Sequence, residues 1–201
     1  MSASKGKRGR PREIDKTDVA LAALTLFEEK GFDKVTMNEL AKAASVSRRT
    51  LFRLFPTKSD LVWDGIWDAL TYAKEQIPEL PSEGVSLASL IQALLLPSLS
   101  LLEQPEQTTW ARRRLRIIAE TPSLFDHPAF QEMRQILTET IEKHVSPTKA
   151  PPELLANSLV SVCFASVLWW AKNDDVMTAT EALQLAFSTF SELHLPLNNE
   201  T

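Results

Sequence analysis

Three arginines, Arg48, Arg49 and Arg53, stand within six residues of one another, with Phe52 between them. On a helical period Leu51, Leu54 and Phe55 fall to one side, and the arginines and Phe52 to the other. Packing has no use for three guanidinium groups on one face. Nucleic acid does, because arginine bonds bidentately to guanine O6 and N7 in the major groove or pairs with phosphates. A solvated basic face is the alternative for the same residues. No catalytic constellation competes with this reading. His127, His144 and His194 lack metal-ligand spacing, and Cys163 sits in an apolar run that raises rather than lowers a thiol pKa. Asp126-His127 reads as a loop cap rather than a general base, so neither an enzyme, a metal nor a cofactor is expected.

Those side chains need a rigid support, and the residues before them supply one. Thr36-Met37-Asn38-Glu39 is a capping box, in which the threonine oxygen accepts from the backbone of Glu39 and the glutamate reaches back. The helix it starts has Leu40, Ala41 and Ala44 as its inner stripe. Ser45-Val46-Ser47 makes a three-residue turn in which Val46 can be buried and Ser47 can cap a second helix from Arg48 to Phe55. Upstream, Asp15 as N-cap and Ala20, Ala23, Leu24 and Phe27 at helical spacing predict a first helix over 16–30. Gly31 ends it with a left-handed residue, and Phe32 is placed to touch Phe27.

Residues 1–13 are polar and basic and read as a disordered arm. Within it Gly9-Arg10-Pro11-Arg12 resembles an AT-hook core, so Arg10 and Arg12 could enter a minor groove; an ordinary solvated tail is the alternative. The net charge of −4 conceals an asymmetry: residues 1–60 carry 13 basic against 8 acidic side chains, and the remainder 9 against 18. A polyanion should therefore meet only the N-terminal part. An architectural DNA-binding protein without a ligand, the rival reading, would spread positive charge more widely.

Beyond residue 60 the apolar residues keep helical periods. Helices are expected at 58–77, 86–103, 105–120, 123–145, 152–173 and 179–194, with Pro97 kinking or splitting the second. Residues 154–171 run for 18 positions without a charge, but Asn157, Ser158, Ser161 and Ser166 interrupt them, which favours a buried core or interface helix over a membrane span. One cysteine excludes an internal disulfide, and acidic residues follow the basic N-terminus where a signal peptide would be apolar. A cytoplasmic protein is expected.

Thr36 to Lys58, read as Thr-x-x-x-Leu-Ala-x-x-Ala-x-Val-Ser-x-x-Thr-Leu-Phe-x-x-Phe-x-x-Lys, resembles the TetR family of bacterial transcriptional regulators. The resemblance implies an all-α chain: a disordered arm at 1–13, a three-helix DNA-binding domain at 14–60 and a helical ligand-binding and dimerisation domain at 61–201. It implies a homodimer on a palindromic operator, with Thr36 and Lys58 as phosphate contacts. Arg48, Arg49, Thr50 and Arg53 form the implied recognition set, with Ser47 and Phe52 beside them. Ser45 stands where the family often has glycine, so a left-handed residue there would cost about 1 kcal/mol. Phe52 and Leu54 replace residues that are often tyrosine or histidine, and neither can donate a hydrogen bond.

In the second domain Arg112 to Pro122 is similar to a stretch of TetR regulators described as binding acyl-CoA-like ligands. Its arginines could meet ligand phosphates, or Arg112 and Arg116 could form an exposed ridge that pairs with acids such as Glu120. Candidate pocket residues are Trp67, Leu94, Trp110, Leu115, Phe130, Met133, Phe164 and Trp170, aromatic and apolar groups suited to a cavity between helices. The helix at 152–173 is apolar on nearly every side, so one face should pack inward and another against a second subunit. Leu159, Val167, Leu183, Ala186, Phe187 and Phe190 are the expected dimer contacts. The function expected is a repressor released from its operator when a small apolar or amphipathic molecule binds.

Overall fold

The computed structural model describes residues 15–174 and 176–192, with side chains except at 67–69, 106 and 190–192. Two compact units meet at the bond between Pro56 and Thr57.

Among its described residues the first unit has three α-helices, with a 3-10 turn, Phe32–Lys34, between the first two. α1 (Lys16–Lys30) starts where the Asp15 carboxylate accepts from Thr17 N at 2.8 Å, and it buries Val19, Ala20, Ala23, Leu24 and Phe27. It stops at Gly31, whose φ of +85° suits a residue without Cβ, and the Phe27 and Phe32 rings meet at 5.0 Å. α2 (Met37–Ala43) has the full capping box between Thr36 and Glu39. A Schellman turn ends it: Val46 N donates to Ala41 O at 3.0 Å and Ser45 N to Lys42 O at 3.1 Å. The left-handed position of that turn is Ser45, at φ +55°. α3 (Arg48–Leu54) follows directly.

The second unit opens with α4 (Lys58–Trp63) and α5 (Ile66–Gln76). These correct the single helix expected over 58–77, because the chain breaks at Asp64-Gly65. Gly65 lets the backbone approach Arg114: a Cβ there would lie 3.1 Å from Arg114 Nη1. α6 (Leu87–Leu90) passes through a π turn, Ile91–Leu95, into α7 (Leu96–Leu102). Pro97 explains the widening, since it has no N–H for the carbonyl of Ala93 and its ring crowds that oxygen. α8 (Pro105–Glu120) leads through a 3-10 turn, Pro122–Asp126, to α9 (Pro128–His144). α10 (Pro152–Lys172) and α11 (Ala179–Glu192) complete the unit. α10 packs on α8, α9 and α11 and is long and apolar enough to cross a membrane, but here it is the core helix, burying Phe164, Val167 and Trp170. The only extended pairing among the described residues is an isolated bridge, Val85 to Val145.

Candidate nucleic-acid interface and effector cavity

α3 carries the chemistry of the first unit. Ser47 Oγ accepts from Thr50 N at 3.0 Å and shares a hydrogen bond with the Thr50 hydroxyl at 2.8 Å, so both residues serve the cap. Leu51 and Phe55 are buried while Arg48, Arg49, Phe52 and Arg53 are exposed. Positions four apart stack along a helix, which makes two parallel ridges, Arg48 with Phe52 and Arg49 with Arg53. The Arg48 guanidinium carbon lies 6.0 Å from the Phe52 ring centroid. Leu54, expected in the core, is half-buried.

The Thr36 hydroxyl is already engaged. It donates to Glu39 Oε2 at 2.9 Å and accepts from Glu39 N at 3.3 Å, so the side chain orders the start of α2. Lys30 Nζ reaches Glu39 Oε1 at 2.8 Å. The lysine first, and the Thr36 hydrogen bonds second, hold the Glu39 carboxyl at about 2. Lys58 is the first residue of α4 and belongs to the second unit. Arg10 and Arg12 lie outside the described residues.

In the second unit α5, the π turn, α7, α8, α9 and α10 enclose an apolar cavity of about 120 Å³. Leu94, Leu115, Met133 and Phe164 lie on its wall. Trp110, Phe130 and Trp170 do not, for separate reasons. Trp110 carries the Arg113 guanidinium 4.8 Å from its ring, and Trp170 is buried beneath Arg112 at 4.2 Å. Phe130 packs into an aromatic cluster, 4.8 Å from Phe164, 5.7 Å from Phe125 and 6.5 Å from Trp63. The Trp67 side chain lies outside the described residues. Sequence reasoning placed this helix at the pocket through Trp67 but missed Ile66, Leu70 and Ala73, because a helix expected to run unbroken gave no reason to choose that face. It also missed Cys163, whose thiol burial pushes up to about 12, so that it serves as an apolar wall group. Adjoining the cavity, and sharing Ile66, Leu102 and Leu115 with it, is a more polar recess with Gln104, Gln107 and the buried Arg114.

Arg112 and Arg116 do different work from Arg114. Arg112 Nη1 donates to the carbonyls of Trp170 and Asn173, and Arg116 Nε to that of Ala171 at 2.6 Å. Both reach Asp174, Arg116 at 2.7 Å to each carboxylate oxygen. They satisfy the orphan carbonyls at the end of α10, with Asp174 rather than Glu120 as the acid.

A capping box that sequence reasoning passed over starts α4. Asp60 N donates to Thr57 Oγ1 at 3.3 Å, and Asp60 Oδ2 accepts from Thr57 N at 2.6 Å; the Thr-x-x-Asp spacing is the signal that could have found it. The other Asp60 oxygen lies 3.0 Å from Nε2 of the buried His127. His127 Nδ1 accepts from Ala129 N at 3.2 Å, which leaves the proton on Nε2, donated to Asp60. Burial opposes ionisation of Asp60, but the bonds from His127 and Thr57 outweigh it and hold its carboxyl below the ordinary value. The His127 ring stacks on Trp63 at 5.1 Å.

The expected dimer contacts divide. Leu159, Val167 and Leu183 are buried within the chain's own fold, and Val167 lines the cavity, which corrects their assignment to an external face. Ala186 and Phe187 are half-buried, and the side chain of Phe190 lies outside the described residues. The open face of α10 is instead Leu154, Ser158, Ser161, Ala165 and Trp169, and with Leu185 and Ala186 of α11 part of it forms a shallow apolar groove. Trp169 is 44% exposed and Leu185 54%.

Residues 21–63 match a family model described as bacterial regulatory proteins, tetR family, and residues 91–193 match the MftR C-terminal domain. MftR of Mycobacterium tuberculosis, by name a mycofactocin biosynthesis transcriptional regulator, is 26% identical over 183 residues, covering 89% of this chain and 90% of its own. The fold is shared with NalD of Pseudomonas aeruginosa, the secondary repressor of the MexAB-OprM multidrug efflux pump. That match has a TM-score of 0.59 at 20% identity and covers 88% of this chain and 94% of that one. It is shared too with the ketosteroid transcriptional regulator KstR2 of M. tuberculosis, with a TM-score of 0.54 at 15% identity, over 90% and 94% of the two chains.

Proposed function

The chain belongs to the TetR family of bacterial regulatory proteins, and from that premise we propose that it is a repressor which a small amphipathic molecule releases from a palindromic operator. The observation that carries this reading is the apolar cavity of the second unit, which adjoins a recess holding Gln104, Gln107 and Arg114. A hydrocarbon chain suits the first and a polar or anionic head the second, the chemistry of an acyl-CoA-like effector.

At about 120 Å³ the cavity accommodates only a short apolar group without rearrangement. A longer chain has to displace part of the wall, and α5 and the π turn are the segments with breaks beside them. That displacement is the means by which binding favours one conformation over another. Operator reading requires two recognition helices about 34 Å apart or a multiple of that. The second subunit is proposed to dock on the outer face of α10 and α11, through Ser158, Ser161, Ala165, Trp169 and Leu185. A regulator of chromosomal operators acts in the cytoplasm.

The test is a thermal-shift series with fatty acids and their CoA thioesters of increasing chain length, followed by calorimetry of the best ligand with and without operator. Ligand affinity is expected to fall in the presence of operator by the same factor as operator affinity falls with ligand. Equal ligand affinities in the two titrations would overturn the repressor reading.

A further inference from the structure

Phe52 is out of place for an apolar ring. The other phenylalanines of the first unit, Phe27, Phe32 and Phe55, are 2%, 7% and 1% exposed, whereas Phe52 is 42% exposed in the middle of a cationic face. Among the described residues its exposed neighbours on α3 are Arg48, Arg49 and Arg53. It cannot bond a phosphate, because it has no donor. A side chain of this kind on the surface that faces DNA has one complementary group in the major groove. That group is the 5-methyl of thymine, the apolar element of the base-pair edges.

We infer that Phe52 is a specificity-determining residue that reads a thymine methyl group beside a guanine read by Arg48; the inference rests on the operator reading above. The two side chains share a ridge, with the guanidinium 6.0 Å from the ring. Four residues advance about 6 Å along a helix, close to two base steps of about 3.4 Å each. The thymine therefore lies within about two base pairs of the guanine. The flat ring also restricts where the Arg48 guanidinium can lie, which favours a bidentate approach to one base over a diffuse phosphate contact.

The experiment uses the full-length protein. Selection from random duplexes defines the preferred operator, and each dT in it is then replaced singly by dU, which removes the methyl and preserves pairing. Every duplex is titrated with the wild-type protein, with Phe52→Ala and with Phe52→Leu. One dU position per half-site is expected to weaken wild-type binding about three- to tenfold, the effect of losing one buried methyl contact. The same replacement leaves Phe52→Ala unaffected, and Phe52→Leu, which keeps an apolar contact, retains part of the discrimination. Thermal melts of the variants are expected to stay close to wild type, because the ring lies on the exposed side of α3, opposite the buried Leu51 and Phe55.

Three results would overturn the inference. They are no dU position that weakens binding, an undiminished dU penalty in Phe52→Ala, or a sensitive thymine with no guanine within two base pairs. A selection that enriches no sequence overturns the operator reading together with it, and so separates the two failures.

Discussion

Ser45 shows how a single residue can satisfy a motif at a cost. The Schellman turn after α2 requires a left-handed residue at this position, and serine takes φ +55° there although its Cβ crowds the following carbonyl. Gly31 meets its own demand for a positive φ without that penalty. Ser45→Gly is expected to stabilise the first unit by up to about 1 kcal/mol, the relief of left-handed strain less the larger chain entropy that glycine loses on folding. Operator affinity should not change, since the turn keeps its shape. The urea midpoint checks this, and a midpoint at or below that of wild type would show that Ser45 has compensating contacts in the turn. Both positions were legible in the sequence because the turn is local.

At the scale of elements, α4 is held at its start by side chains from two parts of the second unit. Thr57→Ala removes one capping bond and is expected to cost about 1 kcal/mol. Asp60→Ala removes the reciprocal bond and also the hydrogen bond to the buried His127, a loss of about 1 kcal/mol more. Urea titrations of the two variants should therefore differ clearly, and equal losses would mean that the His127 contact contributes nothing. The pH dependence has a definite sign. The folded-state pKa of Asp60 is depressed, so its contribution is complete above the ordinary carboxylate value and disappears as pH falls through the folded one. The stability gap between wild type and Asp60→Asn is expected to close on acidification. The cap was readable from Thr57 and Asp60, but the histidine, 67 residues further on, was not.

For the whole molecule, the prediction concerns the outer face of α10, the proposed docking face for a second subunit. The exposed stripe carries small residues, Ser158, Ser161 and Ala165, that let another helix approach closely, and Trp169 as a large anchor. Ala165→Glu is expected to yield monomers with weakened operator binding and an intact subunit fold, because the residue is exposed. Leu183→Glu, at 0% exposure, is expected to unfold the second unit rather than separate subunits. Sedimentation at micromolar concentration distinguishes them, and a dimeric Ala165→Glu protein would place the interface elsewhere.

Local signals determined the all-α architecture, the helix-turn-helix, the ends of α1 and α2 and the exposed arginines of α3, because caps, turns and period act within about one helical turn. Family resemblance over Thr36 to Lys58 carried those elements to an expectation of DNA binding. Only the tertiary structure decided which side of α10 faces inward, since a helix apolar all round has no preferred face in its own sequence. Leu159 and Val167 moved from the expected interface into the core for that reason, and Leu183 of α11 lies buried with them. The same limit separates Arg114, buried beside Gly65, from Arg112 and Arg116, which close the end of α10. Three arginines in one run look alike in sequence, and the partners that set them apart lie about 50 to 60 residues away on either side.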